Sequence, residues 1–383
     1  MGSRLRLLAL AAALLLSGCG SWGGDGEIEP SPLVDFEPQA EFQTLWSVRI
    51  DQGLGEKYHQ YQPALLGNRI YVANYEGTLT AFNQDNGERL WERELGLPVS
   101  GGVGVGDGKI ALTTYDGEVR VFRALDGAEL WQARLSSEAL VPVQINQDIA
   151  LVQTIDGRLT AFDAQSGGRR WQYSAQIPSL TLRGTSTPLL TDDTSYAGFA
   201  NGKVIALNNA TGEPLWESRV AIPQGKTELE RIVDVDGPLM LDKGVLYVTS
   251  YQGRLAALSV RDGRQLWAAE ASSYQGVGLG DEQLFLSTAQ DHVQAYGRRG
   301  YGPLWEQEGL YFRQLSSPSI LDGAVVVADF EGYVHALAAE DGDFLARTRV
   351  DADGVRGPLL VANDRLYVLG NGGRLSALTL KPE

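Results

Sequence analysis

Residues with side chains able to do chemistry are few in this chain, and their spacing excludes most of what they could do. The three histidines, His59, His292 and His335, stand far apart, and none sits in an HExxH or other metal-ligand spacing. His292 and His335 fall within glycine-turn and strand patterns and read as ordinary strand residues. Asp234-Val235-Asp236-Gly237 and Asp351-Ala352-Asp353-Gly354 begin like calcium loops, but the acidic ligand such a loop needs at position twelve is Val245 in one and Ala362 in the other. Two glycine-rich stretches, GVGVGDGKIAL from Gly102 and GVGLGDEQLFL from Gly276, look like phosphate loops. No helical pattern follows either one, so they read as structural turns. No catalytic set, metal site or cofactor motif is expected.

The remaining reactive group is Cys19, the only cysteine, so no disulfide can form within one molecule. Arg4 and Arg6 precede an apolar run from Leu7 to Leu16, the make-up of a secretory signal too short to span a membrane. Leu16-Ser17-Gly18-Cys19 is similar to a bacterial lipobox, which implies that Cys19 is lipidated and becomes the mature N-terminus. In lipoproteins an aspartate directly after that cysteine signals retention in the inner membrane. Here Gly20 and Ser21 follow, which favours the outer membrane, facing the periplasm. The expected division is residues 1–18 as lipoprotein signal, 19–40 as a lipidated flexible tether rich in Gly, Pro and acidic residues, and 41–383 as one folded body.

That body is organised by a repeat. YDGEVRVFRALDGAELW, residues 115–131, opens on a glycine turn and continues as a strand in which Val119 and Val121 alternate with Glu118 and Arg120. It turns again at Asp126-Gly127 and starts another strand at Leu130-Trp131. Similar copies end at Trp91, Trp171, Trp216, Trp267 and Trp305; one ends at Ala346, and an eighth, NGGRLSALTL, is cut short. Its missing half lies at the other terminus, where Leu45-Trp46 has no turn and strand before it. Between copies, segments such as PALLGNRIYVANY and PSILDGAVVVADF add a strand pair, making four strands per unit. A repeat of roughly 40 residues split between the termini is what a closed ring requires, because an open stack would need a polar cap at each end. The prediction is all-β: an eight-bladed β-propeller of four-stranded blades, with the last blade closed by N- and C-terminal strands. Trp46, Trp91, Trp131, Trp171, Trp216, Trp267 and Trp305 are expected to lock neighbouring blades by burial and by an indole hydrogen bond. Ala346 marks one contact without the lock.

The net charge of −16, or about −18 once Arg4 and Arg6 are removed with the signal, argues against nucleic acid as a partner. Connector length is the one irregularity that points to function. From the blade-ending Trp, or Ala346, to the next strand-opening Pro or Gly there are 11 residues after Trp131, 9 after Trp267, 13 after Trp305 and 12 after Ala346, but 17 after Trp171 and 22 after Trp216. The two long connectors contain SLTLRG, with Leu180, Leu182 and Arg183, and ELERIVDVDG, with Arg231, Asp234 and Asp236. Being equivalent positions of adjacent blades, they should emerge on one face, and long loops with apolar residues on a rigid ring suggest a partner.

Lipobox, acidic tether, tryptophan-ended repeats and these two connectors together resemble the BamB family, the lipoproteins of the outer-membrane β-barrel assembly machinery, over essentially the whole chain. The resemblance implies no catalysis and no cofactor. It implies a scaffold that docks on the periplasmic domain of BamA, the barrel component, and assists delivery or insertion of unfolded outer membrane proteins. The family's BamA contacts would fall on Leu180, Leu182, Arg183, Asp234 and Asp236. Two other readings use the same architecture. A quinone-dependent dehydrogenase would call for a vicinal disulfide that Cys19 alone cannot supply, and an envelope ligand- or glycan-binding propeller would show a cluster of exposed aromatics at one mouth of the ring.

Overall fold

The computed structural model describes residues 28–50, 53–55, 61–182 and 184–382, so Cys19, His59 and Arg183 lie outside the described residues. Eight antiparallel four-stranded sheets follow one another, and blades 1 to 7 take residues 64–94, 104–134, 144–174, 189–219, 240–270, 277–307 and 319–349. Within each of these blades the strands lie in chain order from the inner strand to the outer. The eighth sheet is the split one. Leu360–Ala362, Arg365–Leu369 and Arg374–Pro382 come from the C-terminus and Ala40–Arg49 from the N-terminus, with Ala40 facing Pro382 and Arg49 facing Arg374. The only helical element among the described residues is one 3-10 turn, Leu229–Arg231.

The repeat explains the seams between blades. In the 115–131 copy, Gly117 and Gly127 both adopt positive φ, 72° and 69°, as tight turns require. Gly127 has a second reason to be glycine: a Cβ there would lie 2.8 Å from the indole of Trp91 in the preceding blade. Each indole N–H also donates to a backbone carbonyl of the next blade. Trp46 reaches Gln84 at 3.0 Å, Trp91 Ala124 at 3.3 Å, Trp131 Ala164 at 3.0 Å and Trp171 Asn209 at 2.7 Å. Trp216 reaches Val260 at 2.9 Å, Trp267 Arg298 at 3.0 Å and Trp305 Ala339 at 2.8 Å. All seven indoles thus make a hydrogen bond across a seam, while Trp46, Trp131 and Trp171 are buried and the other four are half-buried. The residue before the tryptophan, leucine in six of the seven copies and Arg170 in the other, is not part of the anchor: in blade 2 Trp131 faces Val121 and Glu129 faces Phe122, so Leu130 is the extra residue of a bulge and points outward.

Ala346 lacks a lock because the eighth blade lacks the corner on which an indole would sit. Its third strand runs on to pair with Ala40–Arg49 instead of turning back, and Ala346 packs with Ala40, Phe42 and Leu380. In the sixth copy Asp291 stands where others have glycine. It takes φ 64°, and its carboxylate accepts the backbone N–H groups of Gln314 and Leu315, both at 2.8 Å, which compensates an unfavourable conformation. The glycine-rich run from Gly102 is an inner strand, as its reading as a structural element implies. A Cβ on Gly104 or Gly106 would fall 1.9 or 2.0 Å from carbonyls of the neighbouring blade, so side chains have no room there.

One expectation needs correction. A flexible tether running to residue 40 does not match the structure, for from Ser31 onward the chain is held against the ring: Ser31 N–H donates to Tyr311 O and Gln39 N–H to Leu345 O, both at 2.9 Å. Phe36 stacks on Phe344 with ring centroids 5.4 Å apart. The sequence around Phe36 has no strand period, and its partners are contributed by blade 7, so the contact carries no local signature.

Candidate docking surface

In an antiparallel blade the connector leading to the next blade emerges on the same side as the turn between the second and third strands. Hydrogen bonds between the two kinds of loop bear this out: Tyr251 N–H, in the 250–253 turn, donates to Asp234 O at 2.9 Å, and Asn371 N–H donates to Gly354 O at 2.8 Å. The long connectors, 175–188 and 220–239, both lie on this face, and they touch. Leu182 N–H donates to Asp234 Oδ2 at 2.7 Å, and Ser186 Oγ–H donates to Gly237 O at 3.0 Å. A Cβ on Gly184 would stand 2.5 Å from the Asp236 carboxyl carbon, so only glycine lets the two loops approach this closely.

Local sequence explains the shape. Ile232, Val233 and Val235 are buried and pin the second connector to the ring, carrying Asp234 into the interior with them. Upstream, Glu230 Oε2 accepts Lys226 N–H at 2.6 Å and Thr227 N–H at 3.2 Å, while Glu230 N–H donates to Thr227 Oγ1 at 3.2 Å. This reciprocal pairing is that of a capping box, and it fixes the 3-10 turn that holds Leu229 outward. Leu180 and Leu182 are 39 % and 41 % exposed, so they are not tucked onto the blade. Of the residues expected on one patch, Leu182 and Asp234 meet directly, and Leu180 and Asp236 lie on the same two touching connectors. Sequence reasoning passed over Ile222 and Leu229, 62 % and 66 % exposed on the second connector, although Leu229 lies inside the quoted ELERIVDVDG.

The electrostatics of the patch are unusual. Burial raises Asp234 to about 6, against the opposing pull of the Leu182 N–H, and raises Asp236 to about 7, with the neighbouring Asp234 charge adding to it. Asp234 Oδ1 and Asp236 Oδ1 have no hydrogen-bond partner among the described residues. A turn elsewhere on the same face shows the opposite. In blade 7 the wholly buried Asp329 accepts from Arg313 Nε at 2.8 Å and from His335 Nε2 at 3.0 Å. Arg347 Nε donates to His335 Nδ1 at 3.1 Å, which puts the imidazole proton on Nε2 and makes the ring neutral. Burial by itself would raise Asp329, but its hydrogen bonds with His335 and Tyr333 and the charge of Arg313 hold it below the usual carboxylate value. His335 is pushed down, by burial first and by Arg347 and Arg313 besides. It is thus no ordinary strand residue but the centre of a buried charge network, contrary to expectation.

Among the described residues one grouping has spacing fit for an ion, His292 with Glu306 and Glu308, whose ligand atoms lie within 4.8 Å of one another. His292 Nδ1 is already paired with Glu306 at 2.6 Å, and the two glutamates are exposed.

Comparison with known proteins agrees with the ring. The family model described as outer membrane protein assembly factor BamB matches residues 43–98, 75–307 and 292–381. An outer membrane protein assembly factor BamB of Pseudomonas aeruginosa is 54 % identical over 372 residues, covering 97 % of this chain and 98 % of the relative. That of Escherichia coli is 34 % identical over 387 residues, covering 98 % and 99 %. The crystal structure of BamB from Moraxella catarrhalis superposes with a TM-score of 0.82 at 29 % identity, covering 88 % of this chain and 99 % of that one. A quinohemoprotein alcohol dehydrogenase from Comamonas testosteroni also superposes, with a TM-score of 0.70 over 88 % of this chain and 76 % of that one, but at 12 % identity it shares the fold alone. Matched by the family model from residue 43 to residue 381 and by relatives along nearly its whole length, the chain belongs to the BamB family of outer membrane protein assembly factors.

Proposed function

We propose that this chain is a non-catalytic scaffold lipoprotein of the outer membrane protein assembly complex, anchored at Cys19 and facing the periplasm. It docks through the paired connectors on the periplasmic domain of BamA and assists folding and insertion of β-barrel proteins. The observation that carries this reading is the bond from Leu182 N–H to Asp234 Oδ2, which ties two loops from different blades into one preorganised surface. Leu180 and Leu182 are thereby presented as exposed apolar anchors on loops held in place by the buried Asp234 beneath them. Support also comes from the relatives' shared description as outer membrane protein assembly factors. The enzyme alternative is disfavoured by a single cysteine, which excludes the intramolecular disulfide that quinone chemistry on this architecture would call for.

Calorimetric titration with a soluble periplasmic fragment of BamA tests the reading. Leu182→Ala should weaken binding by about 2 kcal/mol, some thirtyfold, with an unchanged melting temperature. Trp131→Ala, remote from the patch, should instead lose about 3–5 kcal/mol of stability through the cavity it leaves and bind normally per folded molecule. If the Leu180 and Leu182 variants melt like the parent and still bind at full strength, the paired connectors are not the docking surface. Cys19→Ala should give unprocessed or misplaced protein, and normal processing with parental placement in the outer membrane would remove the lipid anchor from the reading.

A further inference from the structure

Residues 31–39 cross the outside of the ring at the seam between blades 6 and 7, where the outer strand of blade 6, Trp305–Gln307, has three residues instead of the six common elsewhere. Their contacts are specific at both ends. At one end Ser31 N–H donates to Tyr311 O at 2.9 Å and Ser31 O accepts from Arg313 Nη1 at 2.8 Å, the same guanidinium that binds Asp329. At the other, Gln39 N–H donates to Leu345 O at 2.9 Å. Between these ends Phe36 packs against both Phe344, with ring centroids 5.4 Å apart, and the Arg347 guanidinium, 4.9 Å from its ring centre. A Cβ on Gly309 would come within 3.0 Å of the Val34 side chain, so the ring is shaped to receive this segment.

The path matters because it changes faces. Ala40, where the first strand begins, pairs with Pro382 at the end of the blade far from the connectors, since Arg49 at the other end pairs with Arg374 next to the 370–373 turn. Ser31 lies at the connector face, held by the 308–318 loop, whose Phe312 N–H donates to Gln290 O and whose Arg313 O accepts from Phe330 N–H, both partners lying in turns of that face. Left undocked, the leash from Cys19 to Ala40 would leave from the far face and reach about 70 Å when extended. Docked, it leaves from the connector face with only the residues before Ser31 free, a reach of about 40 Å.

We propose that residues 31–39 form an orienting strap: by docking at the seam of blades 6 and 7 they make the membrane tether leave from the connector face, so that the blade 6–7 edge of that face is turned toward the lipid surface. This rests on the reading of Cys19 as the lipidated residue. Membrane and docking partner then approach the same face of the ring, the one at its blade 6–7 edge and the other at the connectors flanking blade 4.

The test uses the full lipidated protein on phosphatidylethanolamine–phosphatidylglycerol vesicles, with a donor dye at Glu308→Cys on the connector face or at Gln147→Cys on the opposite face of blade 3, and an acceptor in the headgroups. Transfer should be clearly stronger from position 308, and Phe36→Ala should shrink the difference. Hydrogen exchange on the same samples should show the Ser31 and Gln39 amides slowed by at least about tenfold relative to the Phe36→Ala variant. Equal transfer from both positions in the parent protein, or amides that exchange as freely in the parent as in the variant, would overturn the strap. Failure of the protein to bind vesicles at all would instead refute the lipid reading, and the exchange measurement would still decide whether the strap is docked.

Discussion

Two connectors of this ring each lie beside a buried carboxylate, and the ring treats the two in opposite ways. At blade 7, Asp329 is surrounded by Arg313, Arg347 and the neutral His335, and its charge is held on. Flanking blade 4, Asp234 and Asp236 are given one backbone N–H between them, keep oxygens without partners among the described residues, and have their charge pushed off. Burial is common to both and supplied counter-charge is what differs. The first arrangement closes a seam of the fold. The second leaves its carboxyls short of counter-charge among the described residues.

The comparison breaks most visibly at blade 7. Asp329→Ala should leave Arg313, whose side chain is 3 % exposed, without its buried counter-charge. It should lower stability by about 3–5 kcal/mol in a denaturant melt, with BamA binding unchanged per folded molecule. A loss no larger than that of a surface substitution would mean that the two carboxylates do not differ as described.

The next effect has the opposite sign. Because Asp234 and Asp236 are raised to about 6 and 7, the folded chain keeps protons that the unfolded chain releases near 3.8. Their favourable contribution is therefore complete below that value and is lost as pH rises through 6 to 7. Asp236→Asn should stabilise the free ring by about 1–2 kcal/mol at pH 8, less than full burial would give because water reaches part of the site, and should flatten the alkaline side of the stability profile. The same variant should bind BamA more weakly, a trade of function for stability. His335 works the other way: its depressed value means its contribution is present above 6.5 and lost as pH falls, so replacing it should flatten the acid side. The smallest effect is expected at the exposed pair between Lys203 and Glu217 in blade 4, 2.6 Å apart. Lys203→Ala should change stability by no more than about 0.5 kcal/mol, showing that counter-charge matters to the fold only where the carboxylate it meets is buried.

How far the sequence could be read follows from the range of each interaction. The blades, the split sheet and all seven indole locks are legible because one short pattern recurs at fixed spacing, and each tryptophan marks its own neighbour's turn. The pairing of the two long connectors is legible too, since equivalent positions of adjacent blades must meet on one face. The Asp329 network is not, because Arg313, Asp329, His335 and Arg347 come from a connector, a turn and two strands with no shared pattern. Nor is the docking of Phe36, whose surroundings read as linker and whose partner stands about 300 residues away. Leu229 escaped because exposure depends on a one-turn helix fixed by Thr227 and Glu230, and a single turn leaves no periodicity to detect.

The split eighth blade also imposes an order of events. A ribosome makes Ala40–Arg49 before any other strand, yet its sheet partner Arg374–Pro382 is the last strand to be made, so the earliest strand waits for the whole remaining chain with its backbone groups unpaired. Blades 1 to 7 are each continuous in sequence and can form as they appear, but the final seam has the longest loop closure in the molecule. A nascent or truncated chain therefore exposes one strand edge at each end until its last residues arrive, and those two edges are the parts of an incomplete molecule most prone to pair with a second copy.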